Sequence, residues 1–344
     1  MADRPVLDRG VAFSPVTRDA CALCAPLGAT LAYAGVRGGM TLLHGSQGCA
    51  TYIRRYAISH FREPLDAASS GFCEESAVFG GRESLRAAYR NLVKQYRPEF
   101  VGVATTCLAE TIGEDAAVAL RALEDLAAAG PGDAASPPLV AAASTASYRG
   151  DQREGFRAAT RAIVEAACPA GPGLPLRGEA GPGPVAVFPA MLSPADLRER
   201  RRVAAAFGLD AVLVSDYSET LDGGLWAPGR LLPEGGTPVD RLSGLRFARY
   251  AIELGTEVAA AASGADYLAK DFGAERVALG LPIGVEATDR FLAALGRASG
   301  RGVTDDMRAE RGRLVDSYVD AHKIVFERRA LIHGDRDLGE GGGQ

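Results

Sequence analysis

GVATTCLAETIG, residues 102–113, passes from a run of small and β-branched residues straight into a cysteine, Cys107. GVATT (102–106) has the length and composition of a buried strand, and it is one of four such runs. The others are LVAAA at 139–143, VAVF at 185–188 and AVLVS at 211–215. Longer segments of helical period alternate with them, at 82–96, 114–128, 152–167, 195–207, 242–263 and 305–327. Ser193-Pro194 adds a start signal, with serine at the cap and proline in the first turn. The alternation predicts an α/β fold of repeated βα units, with buried parallel strands flanked by helices. Cys107 would then stand at the carboxyl end of a parallel strand, where open α/β sheets place their ligands.

Breaks in the pattern predict the domains. GPGDAASPP (130–138) interrupts the chain once. PAGPGLPLRGEAGPGP (169–184) is longer and a fresh strand follows it, so it makes the better boundary. Residues 1–170 are expected to form one Rossmann-like domain and 184–300 a second, with LWAPGRLLPEGGTP (225–238) as a long loop inside it. Residues 301–344 would hold a charged helix with one apolar stripe, then a strand at ALIHGD (330–335), which would ordinarily open a third βα unit.

The totals narrow the function classes. A chain of 344 residues has room for two domains with their own cores. A net charge of −5 without a basic run argues against nucleic acid as a partner. No apolar run reaches membrane-spanning length, and MADRPVLDRG lacks the features of a secretory leader, so a cytoplasmic location is expected. Structural disulfides are not expected there. The six cysteines, at 21, 24, 49, 73, 107 and 168, become candidates for metal binding, catalysis or simple burial.

Three of them share a setting of small residues. Cys24 precedes Ala25-Pro26-Leu27-Gly28-Ala29, Cys49 lies in Gly45-Ser46-Gln47-Gly48-Cys49-Ala50, and Cys107 ends a strand. Ser46-Gln47-Gly48 suits a helix start, whose free N–H groups favour a thiolate or anionic cluster. Thiolates are the usual ligands of iron-sulfur clusters and need not be close in sequence. Burial as small apolar groups is the alternative for each. Cys21 and Cys24 form a C-x-x-C pair, but no second pair completes a zinc site, and His44, His60, His322 and His333 lack ligand spacing. Burial is the default for Cys73 and Cys168. His44 and His60 read as hydrogen-bonded structural residues, and LPEGGTP lacks the lysine and hydroxyl of a phosphate loop.

Taken together, the motifs resemble nitrogenase component 1, and within it the β chains of the molybdenum-iron type. They are Cys24-Ala25-Pro26-Leu27-Gly28-Ala29, His44-Gly45-Ser46-Gln47-Gly48-Cys49, His60-Phe61-Arg62-Glu63-Pro64, Ala77-Val78-Phe79-Gly80-Gly81 and Thr105-Thr106-Cys107-Leu108-Ala109-Glu110-Thr111-Ile112-Gly113. Leu281-Pro282-Ile283-Gly284, Glu310-Arg311-Gly312-Arg313-Leu314-Val315-Asp316 and His333-Gly334-Asp335 extend the match over nearly the whole chain. The resemblance implies tandem Rossmann-like domains with the third truncated. It implies that Cys24, Cys49 and Cys107 ligate an iron-sulfur cluster, P-cluster-like 8Fe-7S or 4Fe-4S, at the interface with a homologous α-type subunit. Ser46 and Tyr52 would lie beside the cluster, and Phe79 would lie where an ATP-dependent iron protein reductase docks.

The pattern is not kept throughout. A redox-dependent ligand of β chains falls by alignment on Asp151, which also fits a helix capping box in Asp151-Gln152-Arg153-Glu154; the cap is favoured because Asp is among the best N-caps. Cys21 has no counterpart. Arg54, Arg55 and Arg62 are expected either to face a partner or cluster, or to pair with Glu63, Asp66 or Glu74. Three functions follow: an electron-transferring subunit of a nitrogenase or nitrogenase-like reductase, a scaffold subunit for cofactor assembly, and a relative without turnover.

Overall fold

The computed structural model describes residues 22–128, 137–171, 183–225, 227–255, 263–329 and 331. Two parallel sheets of four strands carry the fold. In the first, β3 (Phe100–Thr105) is buried along its whole length, as its uninterrupted small and apolar sequence requires. It pairs with β1 (Gly39–His44) on one side and β4 (Leu139–Ala143) on the other, and β2 (Ala67–Ser69) closes the edge in the order β2-β1-β3-β4. In the second, β5 (Val185–Phe188), β6 (Ala211–Leu213), β7 (Tyr250–Leu254) and β8 (Glu275–Leu279) run in the order β6-β5-β7-β8. Both are doubly wound. The chain moves outward to one side of β1, then returns to the other side to lay down β3, which makes the β1/β3 boundary a topological switch point.

Side chains alternate across β3. Val101 and Val103 pack with Met40, Leu42, Leu85 and Leu92 under α4 (Arg82–Tyr96) and α6 (Ala116–Ala128). Phe100 and Ala104 face the larger core, which runs on through α1 (Ala25–Ala34) and α7 (Gln152–Ala167) to the second sheet. α1 and α7 meet almost backbone to backbone. A Cβ on Gly28 would lie 1.7 Å from the Gln152 carbonyl oxygen, and one on Gly155 would lie 1.9 Å from that of Ala25. Beyond the sheets, α2 (Gln47–His60), α3 (Glu74–Phe79) and α5 (Cys107–Thr111) fill the first half, and α8 (Pro194–Ala206), α9 (Val239–Ser243), α10 (Gly264–Phe272) and α11 (Gly284–Ser299) the second. α12 (Asp305–Val325) follows, and along it only Met307 is buried. Its apolar stripe, including Leu314, Tyr318 and Val319, is exposed. Among the described residues no helix is long and apolar enough to cross a membrane.

One predicted helix is absent. The segment 242–263 contains the end of α9, a 3-10 turn at Gly244–Phe247 and strand β7; residues 256–262 lie outside the described residues. Parallel pairing of β7 with both β5 and β8 buries Ala251, Ile252, Glu253 and Leu254, and this non-local burial outweighs the local helical period. The predicted strand at 330–335 also lies outside the described residues, apart from Leu331.

Candidate metal centre

The switch point delivers two of the three cysteines. His44 and Thr105 are the last paired residues of β1 and β3. After His44 the chain turns through Gly45 and Ser46 into α2, with Cys49 in its first turn, and after Thr105 it enters α5, whose first residue is Cys107. Only glycine lets these two turns lie side by side: Gly45 sits at φ +143°, and a Cβ there would come within 1.8 Å of Thr106 Oγ1. Ser46 caps α2, its hydroxyl accepting from Gly48 N–H at 3.3 Å. The third cysteine, Cys24, is the N-cap residue of α1. An antiparallel bridge between Cys24 and Asp151, with Gln152 N–H donating to the Leu23 carbonyl at 2.9 Å, fixes that segment to the start of α7.

All three sulfurs therefore sit at helix N-termini, where the positive ends of helix dipoles favour thiolates. In the protein alone, burial pushes the Cys24 thiol up, and the Cys107 charge adds to this. Cys49 is raised first by burial and then by the charges of Cys24 and Cys107. Cys24 and Cys49 thus sense the charge of neighbouring cysteines, a repulsion that bound cations would offset. Among the described residues no three His, Cys, Asp or Glu side chains are placed to grip one metal ion. The donor set, three soft thiols spread over three helix ends and lined by small residues, fits a multi-iron sulfide group better than a single ion.

The sequence did not single out Ser147, which lies in the loop joining β4 to α7. Its N–H donates to Cys107 Sγ at 3.2 Å, and its side chain hydrogen-bonds Cys24. The signal available was positional: β4 is a third strand of the same sheet, and the small polar run Ser144-Thr145-Ala146-Ser147 follows its carboxyl end.

Asp151 takes the capping role. Its carboxylate accepts from Arg153 N–H at 2.8 Å and pairs with Arg153 Nη2 at 2.7 Å, while Glu154 completes the box on Asp151 N–H at 3.0 Å. Burial works to raise the Asp151 pKa, but hydrogen bonds from Glu154 and Arg153, with the Arg153 charge, hold it at about 2. Asp151→Ala is expected to cost about 2 kcal/mol, at the upper end for a lost cap because a buried ion pair goes with it. Chemical denaturation of the two proteins checks this, and the loss of iron binding is not expected beyond what the destabilisation explains.

The remaining candidates separate clearly. Cys168 is buried, and its thiol donates to the Leu242 carbonyl at 3.2 Å. Cys73 is exposed at the start of α3, and Cys21 lies outside the described residues. His44 is buried between Ser70 Oγ (3.1 Å) and Glu114 Oε2 (3.4 Å), and burial lowers its pKa despite that carboxylate. His60 stacks edge-on against Phe61 at 4.7 Å. Arg54 pairs with Asp66, while Arg62 reaches Asp222 beyond the second sheet's β6. Tyr52, one helical turn after Cys49, is 61% exposed, and Leu23, Leu108 and Tyr148 near the other cysteines are also exposed. Phe79 is 85% exposed beside Val78.

Known proteins resemble this chain over most of its length. The family model of nitrogenase component 1 type oxidoreductases matches residues 24–341. The nitrogenase molybdenum-iron protein β chain of Clostridium pasteurianum is 34% identical over 91% of this chain and 66% of its own length. That of Frankia alni is 34% identical over 96% of this chain and 62% of its own. The chain thus spans about two thirds of the length of these relatives. Among solved structures, nitrogenase Cp1 at pH 6.5 superposes with a TM-score of 0.81 at 32% identity, covering 98% of this chain and 69% of that one.

Proposed function

The chain belongs to the family of nitrogenase component 1 type oxidoreductases, on the side of its β chains, and from that premise we propose that it is the β-type subunit of a nitrogenase or nitrogenase-like oxidoreductase. In this role it helps hold an iron-sulfur cluster, P-cluster-like 8Fe-7S or 4Fe-4S, and passes electrons from an ATP-dependent iron protein reductase to the active site of a homologous α-type subunit. The observation that carries the proposal is the convergence of Cys24, Cys49 and Cys107 on helix N-termini around the β1/β3 switch point. When bound, the cluster supplies a one-electron relay.

The chain's own residues supply the rest. The three thiols are ligands, Ser46 shapes the turn before Cys49, and Ser147 donates its N–H to a ligating sulfur. Leu23, Tyr52, Leu108 and Tyr148 present exposed apolar surface around the sulfurs, and the α-type subunit would cover it and exclude water. In this reading residues 1–170 would be the cluster-binding domain, 184–300 a second Rossmann-like domain, and 301–344 part of a third. The assembly works in the cytoplasm.

The test is to co-express the chain with its α-type partner, purify anaerobically and record EPR spectra of reduced and oxidised samples. A redox-dependent iron-sulfur signal supports the proposal, and an iron-free complex overturns it. Phe79 would form part of the reductase docking surface. Phe79→Ala is expected to leave stability within about 0.5 kcal/mol, as for an exposed side chain, while slowing reductase-driven cluster reduction about tenfold or more, as for an interface anchor. Stopped-flow reduction kinetics measures this, and an unchanged rate removes Phe79 from the surface.

A further inference from the structure

We infer that Glu110 is a positioning residue for Cys107, acting through the β4–α7 loop; this rests on the proposed role of Cys107 as a cluster ligand. Glu110 follows Cys107 by three residues on α5, and its carboxylate is almost fully buried. Oε1 accepts from Thr105 Oγ1 and from Ala146 N–H at 3.3 Å. Oε2 lies 3.0 Å from Arg149 Nε as an ion pair, with no aligned hydrogen bond among the described residues. The loop is also sewn to β3 one residue earlier, where Thr145 N–H donates to Thr105 Oγ1 at 3.0 Å and Thr145 Oγ1 donates to the Thr105 carbonyl at 2.6 Å.

Glu110 thus grips the loop at residues 146 and 149, on either side of Ser147. Ser147 N–H is the group aimed at Cys107 Sγ, at 3.2 Å. The helix that carries the thiol also carries the carboxylate that fixes the thiol's hydrogen-bond donor. Hydrogen bonds to ligating sulfurs help set the potentials of iron-sulfur groups, because a donor stabilises the more negative, reduced state. Relaxing the grip lengthens the N–H···S contact and lowers the potential. A purely structural salt bridge would change stability alone.

Two variants test this in two settings. Glu110→Gln keeps the shape and an acceptor for Ala146 N–H but removes the charge facing Arg149, and Arg149→Ala removes an exposed partner without touching the core. In the purified complex both should retain iron and shift the midpoint potential downward by about 30 mV. This corresponds to a roughly threefold loss of preference for the reduced state, the size of one ordinary hydrogen bond. The double variant should shift it no further than either single one. In the full chain without metal, Cys107 should be alkylated about twofold more slowly at neutral pH in both variants, because the lost donor no longer stabilises the reacting thiolate, with Cys168 in the same sample unchanged. Unaltered Cys107 alkylation in both variants overturns the positioning role. A wild-type complex that holds no iron would instead overturn the proposed function, and the alkylation rates would still decide the role of Glu110.

Discussion

Cys49→Ala is expected to strip the anaerobically prepared complex of its iron, while Cys168→Ala keeps it. The two residues start from the same chemistry and differ in placement. Cys49 lies in the first turn of α2, raised by burial and by the charges of two other cysteines, and among the described residues its thiol makes no hydrogen bond to another side chain. Cys168 closes α7, and its thiol already has an acceptor in the Leu242 carbonyl. Replacing Cys168 removes one weak hydrogen bond, about 1 kcal/mol. Replacing Cys49 removes one of three thiolate ligands, whereas even an outer partner of a metal ligand commonly contributes about 10- to 100-fold in affinity. Iron analysis and EPR of the two variants measure the contrast; equal iron in both would remove Cys49 from the ligand set. Cys24→Ala and Cys107→Ala should behave as Cys49→Ala does.

Gly28→Ala is expected to destabilise the chain by about 4 kcal/mol or more, lowering the melting temperature by about 6 °C. The added Cβ would sit 1.7 Å from the Gln152 carbonyl oxygen, and that atom is backbone at the start of α7, so no side-chain rotation relieves the clash. The helices must separate, and with them Cys24 from the loop that carries Ser147. Gly302→Ala is the matched control, since a Cβ there meets nothing within 4 Å. Thermal melts of both proteins decide it, and an unchanged transition in Gly28→Ala would show that α1 and α7 do not pack as described.

How much of this could be read beforehand depended on how local the signal was. β3 and β5 were legible because strands buried on both faces read as short unbroken apolar runs, and β4, half-buried at the edge of its sheet, carries a run of the same kind. β7 was not, because Tyr250–Leu254 follows a helical segment without a break and is a strand only by virtue of its neighbours β5 and β8. β1 begins with Gly39 and β2 has only three residues, so neither shows a clear period. The three cysteines stood out through their small-residue settings. Ser147 and the Glu110–Arg149 pair did not, since each depends on β4 lying next to β3 and bringing two loop ends together. The stripe on α12 was legible as amphipathic, but its exposure is a matter of what packs around it, which a single helix does not encode.

Anomalous diffraction at the iron edge from anaerobically grown crystals of the complex locates the metal directly. The expected result is strong iron density bracketed by Cys24, Cys49 and Cys107 at the junction with the α-type subunit, within thiolate bonding distance of all three. Iron density placed elsewhere on the chain, or none between these sulfurs in a complex that contains both subunits, would contradict the cluster-bearing role.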